Sequence, residues 1–239
     1  RMGCGLVQIF TSQTNAAVLR TRLPEAIVTT WSSGLPEQEL QTLSRAIKEA
    51  SAIVFGPGLG RSEDAKQLCT FLLDELEGYP EKTVIIDADG LNILAEMGRY
   101  HSLGSQFILT PHLKEMSRLC GRSVSEISTH MPETVMGQKS GAVVVLKDAR
   151  TLVSDGCALY INTTGNSGLS TGGSGDVLSG MIGGLLAQGV SPMDSACLAV
   201  YLHGMTADRY TEQYAPHSMM ADDILQMLPE VLAESRVGN

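Results

Sequence analysis

The chain has 239 residues, 43% of them apolar, enough to bury one large α/β core or two small ones. Its formal charge is −9, from 17 Lys and Arg against 26 Asp and Glu, and no basic run exceeds two residues, which argues against a nucleic-acid or an anionic-membrane partner. The five cysteines (Cys4, Cys69, Cys120, Cys157, Cys197) form no CxxC pair and read as small hydrophobes in a reducing compartment; no apolar run reaches the length of a membrane span, and no signal peptide is visible.

In chain order, Arg1-Met2-Gly3 leads at once into Gly5–Phe10, which reads as the first core strand of the main sheet. A parallel sheet usually has a strand and helix before such an entry, so an upstream segment is expected. Thr14–Arg22 predicts a short helix, Ala26–Trp31 a strand, and Pro36 opens a helix over Glu37–Ala50 with Leu40, Leu43 and Ile47 on one face. Ala52–Phe55 is a short strand running into Gly56-Pro-Gly-Leu-Gly60 and a helix to Leu76 capped by Ser62. Thr83–Asp87 is the next strand, and Asp87-Ala-Asp-Gly-Leu-Asn92 opens a helix through Met97. Gln106–Thr110 is a strand ending in Thr110-Pro-His-Leu-Lys-Glu115, with a helix starting over His112–Cys120; 125–139 is helical but broken by Pro132. Ala142–Lys147 is a strong strand, Thr151–Ser154 and Ala158–Asn162 pair as a hairpin around Asp155-Gly156, and Pro192–Tyr210 and Ala221–Ala233 are helices, the second kinked or broken at Pro229. Strand–helix alternation predicts one α/β domain over 1–239, a mostly parallel sheet with helices on both faces and ligands beyond the carboxyl strand ends.

Asn166–Gln188 carries the strongest chemical signal. Gly165, Gly168, Gly172, Gly173 and Gly175 make a loop nearly free of side chains, and Val177, Leu178, Met181, Ile182, Leu185 and Leu186 then recur at helical spacing. A glycine nest at a helix N-terminus suits a phosphate. Asp176 at the junction is either a base beside that phosphate, its pKa lowered by the helix dipole, or a plain helix cap. Elsewhere the alternatives stay open. Gly56-x-Gly58-x-Gly60 is a tight turn or a place of close backbone approach to a ligand. Asp87 and Asp89 hold Mg²⁺ through water, or cap a helix and bond to backbone. His112 hydrogen-bonds a substrate or is structural. Lys147 emerges near a nucleotide or is a solvated strand end. No Walker A pattern is present.

Taken in order, Gly56-Pro-Gly-Leu-Gly60, Asp87-Ala-Asp-Gly-Leu-Asn92, Thr110-Pro-His112 with Glu115, Leu146-Lys147 and the run from Asn166 through Gly-Gly-Ser-Gly-Asp176 resemble the NAD(P)H-hydrate dehydratases, a branch of the ribokinase-like superfamily. The resemblance spans roughly Gly3 to Asp223. It implies a ribokinase-like α/β fold. It also implies a reaction in which ADP or ATP, with Mg²⁺, phosphorylates the hydroxyl of hydrated NADH or NADPH, after which phosphate leaves. On that resemblance Asp176 is the base and touches the substrate together with Gly58, His112 and Asn166. Gly172, Gly173, Ser174 and Gly175 form the anion hole. Lys147, Asp148, Ala149, Arg150, Thr151 and Gly175 line the nucleotide site. The family's Lys-Gly-x-x-Thr is here Lys147-Asp-Ala-Arg-Thr151, which puts the Asp148 charge near a phosphate. The resemblance further implies a cytoplasmic homotetramer working beside an NAD(P)H-hydrate epimerase. Two alternatives remain: a kinase of the same superfamily acting on a vitamin-precursor alcohol, and a non-catalytic nucleotide-binding remnant.

Overall fold

The computed structural model describes residues 1–138 and 140–234. Lys139, the end of the helical stretch expected over 125–139, and residues 235–239 of the expected domain lie outside the described residues.

The central sheet has six strands in the order β3 (Ala52–Phe55), β4 (Thr83–Ile86), β5 (Phe107–Leu109), β6 (Val143–Leu146), β7 (Leu152–Ser154) and β8 (Leu159–Ile161). The first four are parallel; β7 and β8 add the antiparallel hairpin. Side chains of alternate strand residues go to opposite faces. Val84, Ile86, Leu109, Val144 and Leu146 pack with α3 (Glu63–Leu76), α4 (Asp89–Met97) and α5 (Leu113–Cys120). Ile85, Ile108, Val143, Val145 and Val153 pack with α8 (Ser174–Leu186), α9 (Pro192–Thr211) and α10 (Ala221–Glu234). The sheet is thus covered on both faces, and the strands read as apolar runs. α8 is fastened by Leu178, Met181, Ile182 and Leu185, each no more than 7% exposed, and burying such side chains contributes about 1.5–3 kcal/mol apiece. That anchoring fixes where the first turn of α8 points.

Three expectations change. The first strand, β1 (Gln8–Ser12), does not join the central sheet: it pairs in parallel with β2 (Ile27–Trp31) in a separate two-stranded sheet, with α1 (Ala16–Arg22) as the crossover. Its residues are partly exposed, as in a sheet covered on one side. The stretch after Ser123 divides into α6 (Val124–Thr129) and α7 (Met131–Met136), with Pro132 opening the second helix, where its missing N–H costs nothing. α10 runs on through Pro229. Ile224, Leu228 and Val231, at most 1% exposed, bury its face on both sides of the proline and outweigh the lost hydrogen bond. The remaining helix, α2 (Glu37–Glu49), follows Pro36 as expected. No helix among the described residues is long and apolar enough to cross a membrane.

Candidate active site

Strand parity assembles a cluster at the carboxyl edge of the sheet. Asp87 continues the α8 face of Ile85, and Lys147 that of Val145. The Lys147 ammonium donates to Asp87 Oδ1 at 3.0 Å. The same oxygen accepts the Ala88 N–H at 2.8 Å, and Asp87 Oδ2 accepts Ser179 Oγ, from α8, at 2.6 Å. Asp87 is 1% exposed. A buried carboxylate stripped of one such partner destabilises a fold by roughly 3–5 kcal/mol.

The turn that aims Asp87 is strained. Ala88 has φ +49°, a region a non-glycine residue occupies at a cost of about 1–3 kcal/mol. Gly56 makes room beside it: at φ +118° a Cβ there would lie 1.9 Å from the Asp87 carbonyl oxygen. Asp89, beyond the strained residue, accepts the Gly60 N–H at 2.9 Å and so ties the Gly56–Gly60 loop down. Gly58 stays exposed, with open space where a Cβ would be.

The N-terminus of α8 faces this cluster. Gly173 is its cap, at φ +87°, and no side chain caps the helix. Val177 N–H bonds to the Gly173 carbonyl and Ser174 N–H to that of Thr171, while the N–H groups of Gly175 and Asp176 have no backbone acceptor among the described residues. Gly172 and Gly173 are exposed and Ser174 is buried. A Cβ on Gly175 would lie 3.2 Å from Lys147 Nζ. Asp176 is open to solvent on its outer side. Partial desolvation, then the charge of Asp87, raise its pKa, and Lys147 pulls it down. The direction is therefore opposite to the expected lowering: loss of water around the carboxylate and the like charge of Asp87 together exceed the pull of Lys147.

The loop into α8 is clamped from α9. Asp208 accepts the Gly165 N–H at 2.8 Å and Asn166 Nδ2 at 3.1 Å; Asn166 also donates to Thr211 and accepts the Gly168 N–H. Both ends of the Asn166 amide thus hold the loop itself. His203 Nε2, on α9, lies 3.0 Å from the Ser174 carbonyl and 3.4 Å from its hydroxyl. Burial pushes its pKa down to about 4, so the imidazole is neutral and donates to that carbonyl. His112 caps α5: its Nδ1 accepts the N–H groups of Lys114 and Glu115, and Glu115 Oε2 accepts the His112 N–H, a complete capping box. The His112 Nε2 lies 3.4 Å from Glu115 Oε1. The His112 backbone bridges to that of Lys147, so the two strand ends adjoin. Asp148, Ala149 and Arg150 form an exposed bend beyond Lys147, with Thr151 leading into β7.

Ser179, His203 and Asp208 were not singled out from the sequence. Ser179 is three residues after Asp176 on a helix, a legible spacing; His203 and Asp208 lie in a long helix with no local pattern. No three His, Cys, Asp or Glu side chains converge to hold a metal among the described residues, and Asp87 and Asp89 both serve protein partners. The residues present do not build a protein-held Mg²⁺ site. A nucleotide phosphate does fit: uncapped N–H groups, side-chain-free backbone and an ammonium face one another.

Residues 1–230 match the NAD(P)H-hydrate dehydratase family. The chain is 37% identical over 237 residues to the bifunctional NAD(P)H-hydrate repair enzyme Nnr of Escherichia coli (strain K12), covering 97% of this chain and 43% of the relative. It is 39% identical over 215 residues to the ADP-dependent (S)-NAD(P)H-hydrate dehydratase of Neisseria meningitidis serogroup B, covering 87% of this chain and 68% of the relative. Among solved structures, the ADP/ATP-dependent NAD(P)H-hydrate dehydratase of Bacillus subtilis, co-crystallised with ATP/Mg²⁺, superposes with TM-score 0.79 at 27% identity, over 98% of this chain and 82% of that one. The chain spans less than half the length of the Escherichia coli relative. With its mostly parallel sheet, uncapped α8 and glycine loop, it has the ribokinase-like α/β fold and belongs to the NAD(P)H-hydrate dehydratase family.

Proposed function

We propose that this chain dehydrates hydrated NADH and NADPH in an ADP- or ATP-dependent reaction. The observation that carries the reading is Asp176: a carboxylate with raised proton affinity, beside uncapped N–H groups and an ammonium, at the mouth of a glycine loop. Asp176 accepts the proton of the hydrate hydroxyl as its oxygen bonds to the terminal phosphorus of the nucleotide. Gly172, Gly173, Ser174 and Gly175 receive the charge that develops on the phosphoryl oxygens. Phosphate then departs with the carbon–oxygen bonding pair, the ring nitrogen lone pair assisting, and a proton lost from the neighbouring carbon restores the double bond. Gly58 and His112 contact the dinucleotide. The exposed bend of Asp148, Ala149 and Arg150, with Lys147, Thr151 and Gly175, borders the nucleotide. Asn166 acts on the substrate through the loop it braces. Mg²⁺ would come with the nucleotide and supply charge to its phosphates; among the described residues no three His, Cys, Asp or Glu side chains converge to hold it.

An NAD(P)H-hydrate epimerase as functional partner belongs to this reading, and the bifunctional repair enzyme of Escherichia coli supports a second activity beside the dehydration. A cytoplasmic homotetramer belongs to the same reading. The test is recovery of NADH from its hydrate with ADP, then with ATP. Recovery with either nucleotide and none without it is expected. Phosphorylated alcohol accumulating in place of NADH would favour the superfamily kinase, and nucleotide binding with no turnover the remnant.

A further inference from the structure

We propose that the Lys147 ammonium, braced by the buried Asp87 carboxylate, is a catalytic group that contacts the phosphoryl group in transit, with Asp87 its positioning residue. The inference rests on the phosphoryl-transfer reading above and assigns Lys147 a place other than the nucleotide-lining strand end.

The backbone and side chain of Lys147 serve different places. Its N–H bonds to the Pro111 carbonyl at 2.8 Å, and the chain then leaves through the exposed bend toward Thr151. Its side chain turns onto the α8 face, as strand parity requires, and the ammonium ends 3.0 Å from Asp87 and 3.2 Å from the Cβ position of Gly175. Its field reaches both Asp176 and His203, which flank the first turn of α8, and depresses the pKa of each. An ammonium has three donors. Asp87 takes one, and the other two have no protein acceptor among the described residues.

Asp87 is built as a brace. It is held by Ala88 N–H and Ser179 Oγ, and the strained φ of Ala88 directs it. The side chain of Lys147 keeps 22% exposure, so it reaches solvent while its anchor, at 2%, does not. In the step, the hydrate oxygen forms a bond to phosphorus as the bond from phosphorus to the nucleotide's bridging oxygen breaks. That electron pair leaves on the shortened nucleotide, and the hydroxyl proton passes to Asp176. Lys147 stays protonated and donates to an equatorial oxygen of the group in transit, opposite the α8 N–H groups.

The rival explanation is that the ion pair only locks β4, β6 and α8 together. Lys147→Met alone strands the buried Asp87 charge, so the deciding protein is Lys147→Met/Asp87→Asn, with Lys147→Gln, which keeps a neutral donor for Asp87, as the second variant. Calorimetry measures the shortened nucleotide alone, AMP where ADP is the donor and ADP where ATP is, and then orthovanadate, a mimic of the phosphoryl group in flight, with that nucleotide present; melting temperature and NADH recovery are read on the same preparations. The double variant should regain most of the stability lost in Lys147→Met. Both it and Lys147→Gln should bind the shortened nucleotide within about threefold of the parent, weaken vanadate at least about tenfold and lose roughly 10²–10³-fold in turnover. Parent-like vanadate affinity and turnover in either variant overturns the inference, as does a loss of affinity for the shortened nucleotide as large as that for vanadate. A parent that takes up no vanadate beside either AMP or ADP overturns it too. If the parent binds vanadate beside AMP or ADP yet recovers no NADH, the hydrate reading fails, while the vanadate comparison still decides the role of Lys147.

Discussion

Among the helices that begin at the carboxyl edge of the sheet, α5 and α8 have first turns that are finished differently. α5 is closed by its own residues: His112 Nδ1 takes two N–H groups, and Glu115 returns a bond to the His112 backbone. α8 starts on a left-handed glycine with no side-chain cap, and Gly175 and Asp176 keep their N–H groups unclaimed. A helix built for stability alone would be finished like α5, because a good cap contributes about 1 kcal/mol. The open end of α8 instead leaves donors beside the Lys147 ammonium and the exposed Asp176 carboxylate. The lesson is that an unfinished helix in a well-packed protein points to a ligand when other charged groups converge on it.

The largest expected effect falls on the open helix. Asp176→Asn should lower turnover by roughly 10²–10⁴-fold while ADP affinity stays within a few fold. Relief of the Asp87 charge should hold the melting temperature at or slightly above the parent's. Because the Asp176 pKa is raised, the acid limb of the parent's kcat/KM profile should lie above 3.8, the ordinary value for the side chain. A normal melt with parent-like turnover would reduce α8 to a helix like α5.

His203 offers the next effect, since it pins the Ser174 carbonyl in the first turn of α8. Its folded pKa, about 4, is below the ordinary 6.5. The unfolded chain therefore takes up the proton first, and the stability present above pH 6.5 is lost as pH falls toward 4. The loss is on the order of 3 kcal/mol from this side chain. Urea melts of parent and His203→Gln across that range should converge as pH falls, and curves that stay parallel would remove His203 as the cause.

On the closed helix the expectation is smaller and of another kind. His112→Ala should cost about 1 kcal/mol of stability through the lost cap, read as a lower urea midpoint. On the proposed contact with the dinucleotide, loss of the imidazole should raise KM more than it lowers kcat. A variant with raised KM and parent stability would show that the α5 cap contributes little. Smallest is Asp148→Gly on the exposed bend. Removing a solvated charge near a phosphate should tighten ADP by about threefold, and less at high salt. Weaker binding in calorimetry would show that Asp148 does not repel the nucleotide.

Much of this was legible where chemistry is local. The Ser62 cap, the strands Ala52–Phe55 and 143–146 and the glycine run into α8 follow from neighbouring residues, and the structure places them within a residue or two of expectation. What escaped depends on distance. Nothing in Asp87-Ala-Asp announces a partner at Lys147 or Ser179, so a metal ligand stayed open for Asp87 beside the favoured reading of a bond to backbone. The raised pKa of Asp176 comes from burial and a second carboxylate, neither visible in the GGSGD run. β1 has the composition of a core strand, and composition does not say which sheet a strand joins. Pro229 breaks a helix in isolation and is overruled by buried neighbours on either side.

The Asp87 brace closes contacts between residues 60 and 92 positions apart. Such pairings form late in folding, because the intervening chain must first be ordered. During synthesis β4 emerges long before α8, so a growing chain holds Asp87 with neither the lysine nor the serine that will steady it. The proposed chemistry therefore waits for α8: a polypeptide that lacks it has no braced ammonium and no open helix end with which to discharge a nucleotide onto water.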